Sequence, residues 1–159
     1  MKYSLFAVAV VITFFVSCSS PEINNGKEQP VNESNSDLVG TWKLLTGTTI
    51  KGKDTVVTDY TVGQEMIKII SPTHFAFLRH DLTKGKDSLV SYAAGGGRIK
   101  FNDSTYTEYL DYFSIREWEG GEFILSYKIN GDTLTTTGVE RVEELGIDHL
   151  NVERLVRVK

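Results

Sequence analysis

Glu122 to Thr137 reads EFILSYKINGDTLTTT, and this stretch decides the fold class. Phe123, Leu125, Tyr127 and Ile129 alternate with Glu122, Ser126 and Lys128, the period of a strand with one face buried. Asn130-Gly131-Asp132 then supplies residues that accept positive φ, and Leu134 opens a second, Thr-rich strand. The unit is an antiparallel hairpin. The same period recurs outward from it. Tyr106, Glu108, Leu110 and Tyr112 share one strand face. Leu150, Val152, Val156 and Val158 share another, with Arg154 among them. Thr41 to Leu44 alternates, Met66 to Ile70 is apolar except for Lys68, and Thr73 to Leu78 follows a Ser-Pro turn.

Turn signals separate these runs. Asn102-Asp103 marks one, and the near copies Lys51-Gly-Lys-Asp54 and Lys84-Gly-Lys-Asp87 mark two similar hairpin loops rather than an internal repeat, because their flanks do not match. Only Ser114–Gly121 and Glu140–Asp148 read as longer non-strand segments, and no long amphipathic helix is present, which excludes α/β folds. The expectation is an all-β domain of roughly eight to ten antiparallel strands, closed as an up-and-down β-barrel, with a jelly roll as the alternative; closure removes exposed sheet edges.

The chain has 159 residues, 40% of them hydrophobic and 11% aromatic, which suits one domain and an appendage. Its 17 Lys and Arg against 21 Asp and Glu give a net charge of −4, a poor match to nucleic acid, whose phosphates need clustered cations. A single cysteine excludes a disulfide framework and every multi-cysteine metal site.

That cysteine, Cys18, has an informative setting. Lys2 precedes an apolar run from Leu5 to Val16, shorter than the roughly 20 residues of a membrane span and suited to a signal peptide. Phe15-Val16-Ser17-Cys18 resembles the lipobox of bacterial lipoproteins, although Phe15 departs from the usual aliphatic residue. The resemblance implies a signal peptide over 1–17, removed before a Cys18 that carries acyl chains such as palmitate. Such chains hold an acidic protein at a membrane without a polybasic patch. Residues 18–37 contain two of the three prolines and few aliphatics, and read as a disordered tether. Only Glu22 is acidic just after the cysteine, which points to an envelope protein facing the periplasm from the outer membrane rather than one displayed on the surface.

Residues 38–159 form the expected domain. Leu38-Val-Gly-Thr-Trp-Lys-Leu44 resembles the Gly-x-Trp opening strand of lipocalins and related calycin barrels. Ile67 to Phe77, Ala94 to Gly97 and Tyr106 to Glu108, in that order, resemble the lipocalin-like domain of exported bacterial proteins, Bacteroidetes lipoproteins in particular. The resemblance implies a small barrel with an interior pocket, closed at one end by Trp42.

Chemistry-bearing residues are few. His74 and His80 lie about 20 Å apart along an extended strand, too far to share a metal. Gly95-Gly96-Gly97 precedes a strand-like segment, not the helix that a phosphate loop requires, so the glycines read as a bend or a close approach of chains. No catalytic constellation can be assigned, and no enzyme activity, metal or cofactor is expected. Glu108 lies on the more apolar face of its strand, where a carboxylate needs a partner; Arg154 is the matching anomaly, and His74 a further candidate. A structural polar network and a ligand-orienting group are both open readings of Glu108. The ligand-contacting candidates are Trp42, His74, Tyr106, Glu108 and Arg154. The function expected is binding of a small, partly apolar molecule by a lipid-anchored envelope protein; the alternative is a non-enzymatic protein-interaction module.

Overall fold

A computed structural model describes residues 37–86 and 91–159. Residues 1–17, Cys18 and the tether up to Ser36 lie outside the described residues, as does Asp87 of the second Lys-Gly-Lys-Asp loop. The strands are β1 (Gly40–Lys51), β2 (Asp54–Asp59), β3 (Gln64–Ile70), β4 (His74–Asp81), β5 (Tyr92–Phe101), β6 (Thr105–Phe113), β7 (Glu122–Asn130), β8 (Thr133–Val142) and β9 (Ile147–Arg157). All neighbouring pairs are antiparallel, and β1 also pairs with β9, which closes the sheet.

β2 and β3 share one edge of β1. Thr46–Lys51 of β1 pair with β2, and Gly40–Lys43 pair with β3. Tyr60 N donates to Leu45 O at 2.9 Å between them. β2 and β3 are therefore two halves of one stave, interrupted by an excursion around residues 61–63. The result is an all-β, up-and-down barrel of eight staves, as the sequence leads one to expect. Ser114–Gly121 carries a single helical turn at Arg116–Trp118; Glu140–Asp148, expected to be non-strand, is strand except at residues 143–146, where Glu143–Leu145 makes a single helical turn between β8 and β9.

The hairpin that set the fold is present: Asn130 pairs with Thr133 across a two-residue turn, with Gly131 at φ 58°. The interior of one end is solidly packed. Trp42, Tyr106, Leu134 and Leu155 are completely buried, with Leu44, Ile70, Phe75, Ile99 and Leu125 around them. Trp42 Nε1 donates to Leu38 O at 2.9 Å, and Arg157 covers the indole from outside.

Two face assignments made from the sequence are corrected. Tyr112 does not continue the face of Tyr106, Glu108 and Leu110: it is 73% exposed. Gly96 pairs with Tyr112 but Gly97 pairs with Leu110, so Asp111 is an extra residue. This bulge inverts the alternation and hands the interior to Phe113. Arg154 is not inward either. Glu153 and Leu155 are buried and Arg154 is exposed. Both faces of β9 carry aliphatic residues, so its pattern alone does not fix which is inside, and a one-residue shift exchanges every side chain between faces.

The glycine run works by close approach. A Cβ on Gly97 would stand 1.9 Å from Tyr109 O, and one on Gly96 would stand 2.4 Å from Phe75 O. No residue with a side chain fits either position without moving a strand.

Candidate functional site

Three inward positions carry charge at one level of the barrel. Lys68 follows Met66 and precedes Ile70 on β3; Glu108 lies between Tyr106 and Leu110 on β6; Glu153 lies between Asn151 and Leu155 on β9. Lys68 Nζ is 3.1 Å from Glu108 Oε1 and 2.9 Å from Glu153 Oε2. Thr136 Oγ1 donates to the same Glu153 oxygen at 3.4 Å. Burying each ion costs several kcal/mol, and the ammonium between two carboxylates offsets that cost. Burial opposes the charge on Lys68, but Glu108 and Glu153 outweigh it and hold the ammonium well above its ordinary pKa. Burial pushes the Glu108 carboxyl up, against the pull of Lys68. Lys68 is the one polar partner of Glu108 Oε1 among the described residues.

This layer separates two halves of the interior. On one side of it stand Ile70, Tyr106 and Leu155, all packed. On the other, Met66, Leu110 and Asn151 face a cavity of about 360 Å³, of which Lys68, Glu108 and Glu153 form the floor. It reaches solvent beside Ile115 and Val139, both exposed.

One wall is aromatic. Phe77 meets Phe113 edge-on at 5.2 Å, Phe113 meets Trp118 edge-on at 6.0 Å, and Trp118 lies 5.9 Å from Phe123. Glycine makes this wall possible: a Cβ on Gly95 would stand 2.6 Å from the Phe77 ring, and one on Gly121 would stand 2.7 Å from Phe123. A polar wall faces it. Glu140 Oε2 is 3.0 Å from His149 Nε2, and Glu140 Oε1 accepts from Asn151 Nδ2 at 2.7 Å. Arg79, inward on β4 beyond Phe75 and Phe77, also lines the cavity; its Nε is buried without a hydrogen-bond partner. An apolar body with a polar head matches such a lining in size and chemistry.

Of the five ligand-contacting candidates named from the sequence, Glu108 alone lines this cavity. Trp42 and Tyr106 are buried in the packed end, Tyr106 against the rings of Phe101 and Tyr127. His74 is exposed at the start of β4, its Nδ1 2.9 Å from Thr73 Oγ1, and Arg154 is on the outer surface. Neither His74 nor Arg154 is the partner of Glu108; Lys68 is. Arg79 and Glu153 escaped the sequence reading, and Lys68 stood out there only as the interruption of an apolar run, not as a site residue. Lys68 and Glu153 each stand two residues from a buried apolar position on their own strands, and Arg79 stands two from half-buried Phe77; that spacing is the signal that could have found them. Among the described residues no three His, Cys, Asp or Glu side chains converge as a metal site.

No family model matches the chain, and no curated protein matches it. Two of the similar solved structures are Rv2717c from M. tuberculosis and a Trp-176-Ala mutant of the vaccine antigen transferrin binding protein B from Haemophilus parasuis. The first is 13% identical with a TM-score of 0.39, covering 82% of this chain and 99% of that one. The second is 10% identical with a TM-score of 0.39, covering 76% of this chain and 27% of that one. The architecture therefore stands on this chain's own strand pairing: a closed antiparallel barrel of eight staves, consistent with a calycin-type barrel.

Proposed function

We propose that this chain is a lipid-anchored protein of the bacterial cell envelope, held through acylated Cys18 at the outer membrane and facing the periplasm, whose barrel binds a small, partly apolar molecule without transforming it. The observation that carries the binding reading is the cavity of about 360 Å³ between an aromatic wall and a charged floor. A barrel filled by its own side chains favours an interaction module instead. The anchor reading is supported by the Leu5–Val16 run and the Ser17-Cys18 junction.

Native mass spectrometry of the full chain in mild detergent, with organic extraction, tests the binding reading. A stoichiometric small molecule is expected, and Leu110→Trp, which fills the cavity, should abolish it. Failure to find a bound compound, together with no uptake of an apolar fluorophore by the emptied protein, overturns the reading.

The interaction-module reading has one specific support. All six residues of β2 are exposed, and β2 ends the strand order with Val56 61% and Val57 63% exposed. Such an edge offers backbone groups to a partner strand.

A further inference from the structure

Resting on the ligand-binding reading, we infer that the cavity selects an amphipathic zwitterion, a molecule with a protonated amine, a carboxylate and an aromatic or large aliphatic body, as in apolar amino acids and their short peptides. Two groups of opposite character line the cavity without full partners. Glu108 Oε1 has the Lys68 ammonium at 3.1 Å and no other polar partner among the described residues, although its side chain is only 9% exposed. It shares the single ammonium of Lys68 with Glu153, so two carboxylates face one cation. Arg79 Nε is a buried donor with no acceptor, and Arg79 enters no ion pair among the described residues.

The other charged groups of the lining are paired. Glu140 holds His149 and Asn151, and Glu153 holds Lys68 and Thr136. Among the charged groups, what remains is a pair of carboxylates sharing one cation and a guanidinium without an anion. An ammonium beside Glu108 gives the two floor carboxylates a second cation, and a carboxylate beside Arg79 gives the guanidinium its anion. A ligand with one charge serves one group and leaves the other short of a counter-charge. A zwitterion satisfies both while leaving the net charge of the site unchanged. The rings of Phe77, Phe113, Trp118 and Phe123 then take the apolar body.

Calorimetric titration of the emptied full chain at neutral pH tests this with five probes: L-phenylalanine, L-phenylalanyl-L-phenylalanine, phenethylamine, phenylpropionate and propylbenzene. At least one of the two zwitterions should bind about tenfold or more tighter than both singly charged probes. Glu108→Gln should weaken zwitterion and amine by about tenfold and spare phenylpropionate, and Arg79→Gln should weaken zwitterion and carboxylate and spare phenethylamine. If phenethylamine, phenylpropionate or propylbenzene binds within about tenfold of the tighter-binding zwitterion, the zwitterion inference is overturned and the ligand-binding reading survives. If no probe binds, both fall. The comparison of probes needs only the unsubstituted protein, so a misfolded variant cannot mask the result.

Discussion

Arg157 lays its guanidinium over the Trp42 indole, 4.1 Å from the ring centroid. Arg157 lies near the end of the last strand and Trp42 near the start of the first, and the two are paired across the seam that closes the barrel. Arg157 Nη1 also donates to Val39 O at 3.1 Å, and its Nη2 donates to Asp37 O. One side chain thus caps the packed end and fastens the entering chain.

Trp42→Ala should destabilise the protein by about 3–5 kcal/mol, because it empties a fully enclosed volume and removes the donor to Leu38 O. Arg157→Ala should cost about 1–3 kcal/mol through the lost ring contact and charge-assisted bonds. Arg157→Lys should recover only part of this, since an ammonium lacks the flat fork. Urea unfolding of the three variants measures the order; an effect below about 1 kcal/mol for Trp42→Ala contradicts the enclosed indole.

Lys68→Met should cost about 3–5 kcal/mol, because it leaves Glu108 and Glu153 buried without a cation. In a Glu108→Gln, Glu153→Gln background the same change should be nearly neutral. Equilibrium unfolding of the cycle reads the coupling, and additivity within about 0.5 kcal/mol means the three side chains act independently.

Gly97→Ala should cost at least about 3 kcal/mol, since its Cβ cannot coexist with the Tyr109 carbonyl without separating β5 from β6. Gly52→Ala meets no atom within 4 Å, although Gly52 has φ 62°. It should therefore lose only the smaller cost of its backbone conformation, about 1–2 kcal/mol. Thermal unfolding separates the two; equal losses contradict the close approach at the bulge.

Asp81 makes one corner acid-sensitive. Its Oδ1 accepts from Gly85 N at 2.8 Å, Thr83 Oγ1 at 2.7 Å and Thr83 N at 3.0 Å, and these bonds lower its pKa from 3.8 to about 2. The folded pKa lies below the unfolded one, so the stabilisation is complete above the unfolded value and is lost as pH falls from about 4 to about 2. Asp81→Asn should lower stability at neutral pH and flatten that part of the acid limb. Denaturant midpoints collected across this range check it; an unchanged acid limb rules the carboxylate out.

The sequence by itself determined the fold class. A period of two, broken by Asn130-Gly131-Asp132 and similar turns, is a local property, and local chemistry is enough to establish hairpins. It also marked Trp42 as a buried residue and Glu108 as a carboxylate in need of a partner. It did not identify that partner. Lys68 and Glu153 meet Glu108 only because β3, β6 and β9 converge across a closed barrel, a relationship between residues 85 apart in the chain for Lys68 and Glu153. Nor could alternation place Tyr112 or Arg154. One bulge residue at Asp111 reverses the face of everything after it, and a strand with aliphatic residues on both faces, such as β9, takes its orientation from what it packs against. The aromatic wall was hidden for a similar reason: Phe77, Phe113, Trp118 and Phe123 come from separate strands and a helical turn, and the space they need is supplied by Gly95 and Gly121. Closure of the sheet, which is non-local pairing of β1 with β9, is what turned these scattered side chains into a cavity with a charged floor.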